Sequence, residues 1–104
     1  MSNDYNGGLL VNNQQIDLTP FPLKFFTNVT LAAALSLKGI TDIKTLDLSI
    51  NKSDTEMVIN GDRIALTLFA SGVIANTIKG LVSTFRGVDI IETVQIKIKA
   101  NRSL

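Results

Sequence analysis

The side chains that could carry acid–base or metal chemistry in this chain are nine carboxylates, because histidine and cysteine are both absent. Catalysis by proton transfer needs acid and base groups whose pKa values are pushed apart by burial or pairing. These carboxylates fall mostly in predicted turns and on outward strand positions, and none recurs at corresponding sites of the two repeats described below. They are Asp4, Asp17, Asp42, Asp47, Asp54, Glu56, Asp62, Asp89 and Glu92. We therefore predict no catalytic residues and no enzyme activity.

The sequence gives as little evidence for metal or cofactor binding as for catalysis. Asp54, Glu56 and Asp62 could gather at one hairpin end around a hard cation, but solvated turn acids are the simpler interpretation. The glycine-containing stretches "NGG" and "SGV" lack the flanking spacing of a nucleotide-binding loop. The sequence thus predicts no metal site and no cofactor.

Charge and hydropathy bear on the possible partners. The formal net charge is +1 with acids and bases interspersed, which argues against nucleic acid or an anionic membrane as a partner. The most apolar run, residues 21–37, contains Lys24 and Asn28 and is short for a bilayer span. The start "MSNDYNGG" lacks the features of a signal peptide, so we expect a cytoplasmic protein.

An internal repeat is the strongest signal in the sequence. Residues 10–50 align with residues 58–98 without a gap, at an offset of 48. Ten aligned positions are identical, where composition alone would give roughly three. They are Asn12/Asn60, Ile16/Ile64, Leu18/Leu66, Thr19/Thr67, Phe21/Phe69, Asn28/Asn76, Gly39/Gly87, Ile43/Ile91, Thr45/Thr93 and Ile50/Ile98. We interpret this as a tandem duplication.

Each repeat reads as a ββαβ unit. Asn60-Gly61, and more weakly Asn12-Asn13, suit the two-residue type I′ turn of a hairpin. Thr19 and Thr67 suit helix N-caps, and glycines 39 and 87 suit the left-handed position after a helix, which predicts helices of about 18 to 19 residues. The following segments, 43–50 and 91–98, alternate apolar and polar residues as half-buried strands do.

The predicted fold is therefore α+β, with two helices packed on one face of a mostly antiparallel sheet in a single domain. A ferredoxin-like order is one alternative, and two ββαβ halves packed about a pseudo-twofold axis in another strand order is the other. We expect a flexible N-terminal arm over residues 1–8, the domain over 9–100 and a C-terminal tail over 101–104.

A helical-wheel projection at roughly 100° per residue separates an inner and an outer side of each predicted helix. The two helices differ on the outer side. In the second helix we assign Phe69, Val73, Ile74, Thr77, Ile78, Leu81 and Phe85 to the inner arc, and in the first helix Phe21, Phe25, Phe26, Val29, Ala33 and Leu37. On the outer side, Leu31 and Leu35 stand where the second helix has Lys79 and Ser83. An outward apolar patch on a small domain usually marks an interface. The predicted interface residues are Leu23, Lys24, Asn28, Leu31, Ala34 and Leu35.

The sequence predicts a non-enzymatic protein that acts through protein contacts, either as a homodimer through the first helix or with another protein. A small-molecule-binding module is the alternative. Its site would lie between the two halves, where the repeated mid-helix asparagines Asn28 and Asn76 would converge. The simpler explanation of these asparagines is a solvent-facing position that both copies inherited.

Overall fold

The computed structural model describes residues 5–52, 54–85 and 90–101. Six strands and two helices lie within them. In chain order they are β1 (Tyr5–Val11), β2 (Gln14–Gln15), α1 (Pro20–Leu35), β3 (Thr45–Asn51), β4 (Asp54–Ile59), β5 (Asp62–Ile64), α2 (Leu68–Val82) and β6 (Thr93–Ala100). The chain is α+β, as predicted.

The strands form one open antiparallel sheet in the order β2-β1-β6-β3-β4-β5. The central pair is β3 and β6, in which Leu48 lies opposite Ile96. On either side of this pair, Leu9 of β1 lies opposite Ile96, and Met57 of β4 lies opposite Leu48. The ferredoxin-like order is not confirmed, because the last strands of the two halves form the centre of the sheet.

The core lies between this sheet and the two helices. The alternating apolar residues of the four long strands are buried side by side in cross-strand rows, and the row of Leu9, Ile96, Leu48 and Met57 is at most 1% exposed. This is the buried face that the alternation predicted. The opposite face is mostly exposed and carries charged pairs such as Lys97 and Asp47, whose closest N···O distance is 3.4 Å.

Both hairpin turns are confirmed. Two residues connect β1 to β2 and β4 to β5, and all four have positive φ: 52° and 67° at Asn12 and Asn13, 53° and 87° at Asn60 and Gly61. Positive φ at both central residues is what a type I′ turn requires, and asparagine and glycine tolerate it best.

Asn12 and Asn60 also bind the opposite half of the chain. The Asn60 Oδ1 accepts hydrogen bonds from the backbone N–H groups of residues 44 and 45, and its Nδ2 donates to the carbonyl of Asp42 at 2.8 Å. The Asn12 amide does the same with the N–H groups of residues 92 and 93 and the carbonyl of Ile90. Each turn therefore closes on the segment that leads into the last strand of the other half.

The helices begin where predicted and end earlier. Both start after a threonine in extended conformation, and the Thr67 Oγ1 accepts a hydrogen bond from the Ala70 N–H at 3.1 Å, whereas Thr19 makes no such bond. The α-helical segments have 16 and 15 residues, because the chain then tightens into bonds three residues apart, such as Leu37 N–H to the Ala34 carbonyl. Gly39, with φ of 86°, follows that turn, and Gly87 lies outside the described residues.

The N-terminal segment corrects the domain prediction. Residues 5–8 belong to β1 and pair with β6, so the prediction of a flexible arm over 1–8 is wrong for them. Residues 1–4 and 102–104 lie outside the described part of the chain. Among the described residues no helix is long and apolar enough to cross a membrane.

Candidate functional site

The acidic side chains form no site within the described part of the chain. Glu56 pairs with Arg63 at 3.6 Å, and both side chains are more than half exposed. No group of three or more metal-ligating acidic side chains exists among residues 5–52, 54–85 and 90–101. Asp54, Glu56 and Asp62 therefore do not form a cation site there, and Asp4 and Asp89 lie outside these ranges.

The structure corrects the outward face of α1. Leu31 is 7% exposed and Ala34 is fully buried, so both belong to the core of their own chain. Leu23 is half-buried, whereas Lys24, Asn28 and Leu35 are exposed as expected. The outward placement of Leu31 and Ala34 is wrong.

The inward face of α1 includes two polar residues. Thr27 is 6% exposed and Thr30 is fully buried. The Thr30 hydroxyl donates to the Phe26 carbonyl of its own helix at 2.9 Å, so its burial leaves no unpaired donor. A threonine that hydrogen-bonds within its own helix can occupy a core position, so the comparison with Lys79 and Ser83 did not identify the outward face of α1.

An exposed apolar stripe runs along α1 on the side away from the sheet. Its members lie at spacings of three and four residues, so they share one helix face. We name Phe21, Phe25, Asn28, Ala32 and Leu35 the α1 stripe. Phe21 is 75% exposed, Phe25 49% and Leu35 48%, and the two phenylalanine rings stack with centroids 6.0 Å apart. Phe21 and Phe25 were assigned to the inner arc, and that assignment is wrong.

The second helix has a matching stripe with smaller side chains at one end. We name Phe69, Val73, Asn76, Gly80 and the C-cap Ser83 the α2 stripe. All five are exposed, with Phe69 at 80% and Val73 at 46%. Phe69, Val73 and Thr77 were assigned to the inner arc, and that assignment is wrong for all three. Beside them Leu68, the first residue of α2, is 95% exposed.

Charge is scarce on this layer. Each helix contains a single charged residue, Lys24 in α1 and Lys79 in α2, and neither contains a carboxylate. The Lys79 Nζ donates to the Lys52 carbonyl at the sheet side, so it is drawn away from the stripe. The α1 stripe and the α2 stripe therefore contain no charged side chain. Each has one side-chain amide, Asn28 in α1 and Asn76 in α2.

A cleft beside the first half of α1 collects part of the predicted site. It has a volume of about 650 Å³ and includes Leu23, Lys24 and Asn28 together with Tyr5, whose hydroxyl donates to the Ile43 carbonyl at 3.0 Å. Asn76 is not among its lining residues. The two asparagines do not converge on this cleft.

Comparisons with protein-family models, with curated proteins and with solved structures find no match.

The stripe residues missed by the projection were marked in the sequence. Phe21 precedes Asn28 by seven residues, as Phe69 precedes Asn76, and seven residues are close to two helical turns. Once Asn28 is placed toward solvent, Phe21 must share its face. The identity of both residues in both repeats is the signal that could have found the stripe.

Proposed function

We propose that the protein is a small non-enzymatic interaction module that forms a homodimer through its helical layer, with α1 in the interface. The observation that carries this proposal is the α1 stripe, in which two stacked phenylalanines stand exposed on a face without carboxylates. Interface cores are depleted of charge and enriched in aromatic side chains.

The size of the layer supports a dimer. The Cα positions span 39 × 32 × 18 Å, so the broad face of the molecule, of which the helical layer is a part, is on the order of 1,200 Å² in projection, against roughly 800 Å² per partner in a stable interface. At about 150–250 Å² per phenylalanine, the exposed fractions of Phe21, Phe25 and Phe69 add up to roughly 300–500 Å². That is the size of the largest apolar patch of a typical monomer, and a patch of this size is often a functional surface.

The burial of Leu31 and Ala34 limits their part in this interface. Direct contacts come from Phe21, Phe25, Asn28 and Leu35, with Lys24 at the rim, while Leu31 and Ala34 support the helix from beneath. A cytoplasmic location stays a prediction.

Light scattering after size exclusion tests the proposal on the wild type and on Phe21→Glu with Phe25→Glu. We expect a wild-type mass near twice 11.3 kDa, and a folded monomer for the double variant, because two carboxylates would have to be buried without partners. Ile90→Glu is the matched control, since Ile90 is 72% exposed but lies outside both helices. A wild type that stays monomeric up to millimolar concentration would overturn the homodimer.

A small-molecule site is the second candidate, favoured by the cleft with Lys24 and Asn28. The cleft shares Asn28 with the α1 stripe. Different variants therefore test the two candidates: Phe21→Glu with Phe25→Glu tests the homodimer, and Lys24→Gln tests the small-molecule site. A monomeric wild type that is protected against thermal unfolding by one class of small anion, with the protection lost in Lys24→Gln, would favour this candidate.

We also propose that the domain is a tandem duplication of a ββαβ unit. The pairings of β1 with β6 and of β4 with β3 coincide after a shift of 48 residues, as do the hydrogen bonds of Asn12 and Asn60. The duplication is also supported by a contact between β1 and α1 in which the large and the small residue have changed places in the second half. A Cβ on Gly7 would lie 2.5 Å from the Thr27 Oγ1, and the corresponding positions hold Thr55 and Ala75.

A further inference from the structure

We propose that in this dimer α1 of each copy packs antiparallel on α2 of the other copy, with Asn28 facing the other copy's Asn76. The inference rests on the proposed homodimer and extends it, because it brings the second helix into the interface and assigns a role to the repeated asparagine.

The direction of the helices allows this packing. The pairing of β1 with β6 coincides with that of β4 with β3 after a shift of 48 residues, and β3 and β6 are antiparallel neighbours at the centre of the sheet. A pseudo-twofold axis between β3 and β6, perpendicular to the sheet, therefore exchanges the two halves and reverses the direction of each element that lies along the sheet. Because α1 and α2 occupy equivalent places in the two halves, they are antiparallel. A twofold axis along the helices, between two facing helical layers, then stacks α1 of each copy on α2 of the other in two equivalent antiparallel contacts.

The side-chain sizes of the two stripes fit this arrangement. With Asn28 opposite Asn76, antiparallel packing sets Phe25 against Gly80 and Phe21 against Ser83. It also sets Ala32 against Val73, so three of the four flanking pairs combine a large side chain with a small one. The fourth pair is Leu35 with Phe69. Parallel packing would instead set Phe21 against Phe69 and Phe25 against Val73 at one end, and Ala32 against Gly80 toward the other end, where a void would remain.

The asparagines would fix the register. Each side-chain amide has a carbonyl acceptor and an N–H donor, so two facing amides can satisfy one another. A polar pair in an apolar helix interface selects one alignment, because every other alignment leaves the amides buried without partners. This accounts for a poor helix former at the same exposed position of both helices.

The first test places a large side chain at Gly80, where the proposed packing needs room for Phe25 of the other copy. A Cβ at Gly80 would meet no atom within 4 Å, so Gly80→Leu is compatible with the folded monomer and improves helix propensity. We expect it to raise the dimer dissociation constant at least ten-fold by blocking Phe25 of the other copy. Gly8→Leu is the matched control, because Gly8 also has open space but lies on the face of the sheet away from the helices.

The second test is a cycle on the asparagines. Asn28→Leu and Asn76→Leu should each weaken the dimer roughly ten-fold by leaving one amide unpaired in each of the two helix contacts, and the double variant should recover the wild-type affinity or exceed it. The dissociation constants can be measured by sedimentation equilibrium, with circular dichroism to verify the fold.

The outcomes separate this inference from the proposed function. A monomeric wild type overturns both. A wild-type dimer that is disrupted by Phe21→Glu with Phe25→Glu but not by Gly80→Leu leaves the homodimer standing and overturns the α1–α2 pairing. Additive losses in the asparagine cycle would overturn the facing amides.

Discussion

The residues that join the two halves of the chain are Asn12 and Asn60. Each side chain makes three hydrogen bonds to backbone groups of the opposite half, and each backbone has the positive φ of a type I′ turn. Asparagine suits both tasks, because it tolerates this conformation and carries both a donor and an acceptor. The identity of Asn12 and Asn60 at aligned positions of the sequence thus has a structural cause.

Removal of either amide should destabilise the fold. We expect Asn12→Gly and Asn60→Gly each to lower the free energy of unfolding by about 1–3 kcal/mol, because the hydrogen bonds are lost while glycine still accepts the positive φ. Urea denaturation followed by circular dichroism measures the change.

Asn13→Gly provides the control within the same turn. Asn13 has φ of 67°, and among the described residues its side chain makes no hydrogen bond. This variant should be neutral or more stable by a few tenths of a kcal/mol. Equal losses at Asn12 and Asn13 would show that the amide hydrogen bonds contribute nothing to stability.

At the scale of the elements, the orientation of α1 decides which residues hold the core and which are open to a partner. Its inward face carries Phe26, Thr30, Leu31 and Ala34, and Phe26 meets Phe85 edge to face with ring centroids 6.1 Å apart. Its outward face is the α1 stripe. Mutations on the two faces should therefore affect different properties of the protein.

Truncation of one residue from each face tests this orientation. Leu31→Ala should cost about 2–5 kcal/mol of stability, because it opens a cavity in the core. Phe21→Ala, which removes a larger side chain, should change the stability of the monomer by less than about 0.5 kcal/mol. Both values are to be measured at concentrations below any dimer dissociation constant, and a larger loss for Phe21→Ala than for Leu31→Ala would contradict the orientation.

At the scale of the whole molecule, the two halves exchange their pairing partners. The first strand of each half pairs with the last strand of the other, and the two last strands pair with each other at the centre. Tyr5 and Ala100 are paired neighbours in β1 and β6, just as Asp54 and Asn51 are in β4 and β3. The ends of the described chain therefore occupy the place that the β3–β4 connection occupies in the other half.

This equivalence predicts that a circular permutant will fold. A variant that links residue 104 to residue 1 and opens the chain between Lys52 and Ser53 should keep the native circular dichroism spectrum and a cooperative unfolding transition, because no paired strand is cut. Its stability should lie within a few kcal/mol of the wild type.

A second permutant, opened between Asn28 and Val29 inside α1, is the comparison and should fail to fold cooperatively. If the permutant opened at residue 52 is unfolded while the one opened at residue 28 folds, the interchangeable halves are refuted.

The local features of this fold could be predicted from the sequence. Asn60-Gly61 indicated a hairpin because few residues tolerate two successive positive φ angles. The alternation around Leu48 and Ile96 indicated the buried face of the sheet, because side chains of a strand point alternately to its two sides. Thr19 and Thr67 marked the helix starts. The hairpin turn, the strand alternation and the helix starts each depend on the types and spacing of residues close together in the chain, which can be read from the sequence.

Tertiary structure alone decided which strands pair, which face of α1 is buried and what the Asn12 and Asn60 amides bind. The strand order depends on pairings between residues as far apart as Leu9 and Ile96, for which local propensity carries no information. The rotation of α1 was ambiguous because its sequence is apolar nearly all round and because Thr30 hydrogen-bonds within the helix, so its hydroxyl donor is satisfied even when it is buried. Only packing against the sheet selected the face, and it left Phe21 and Phe25 outside.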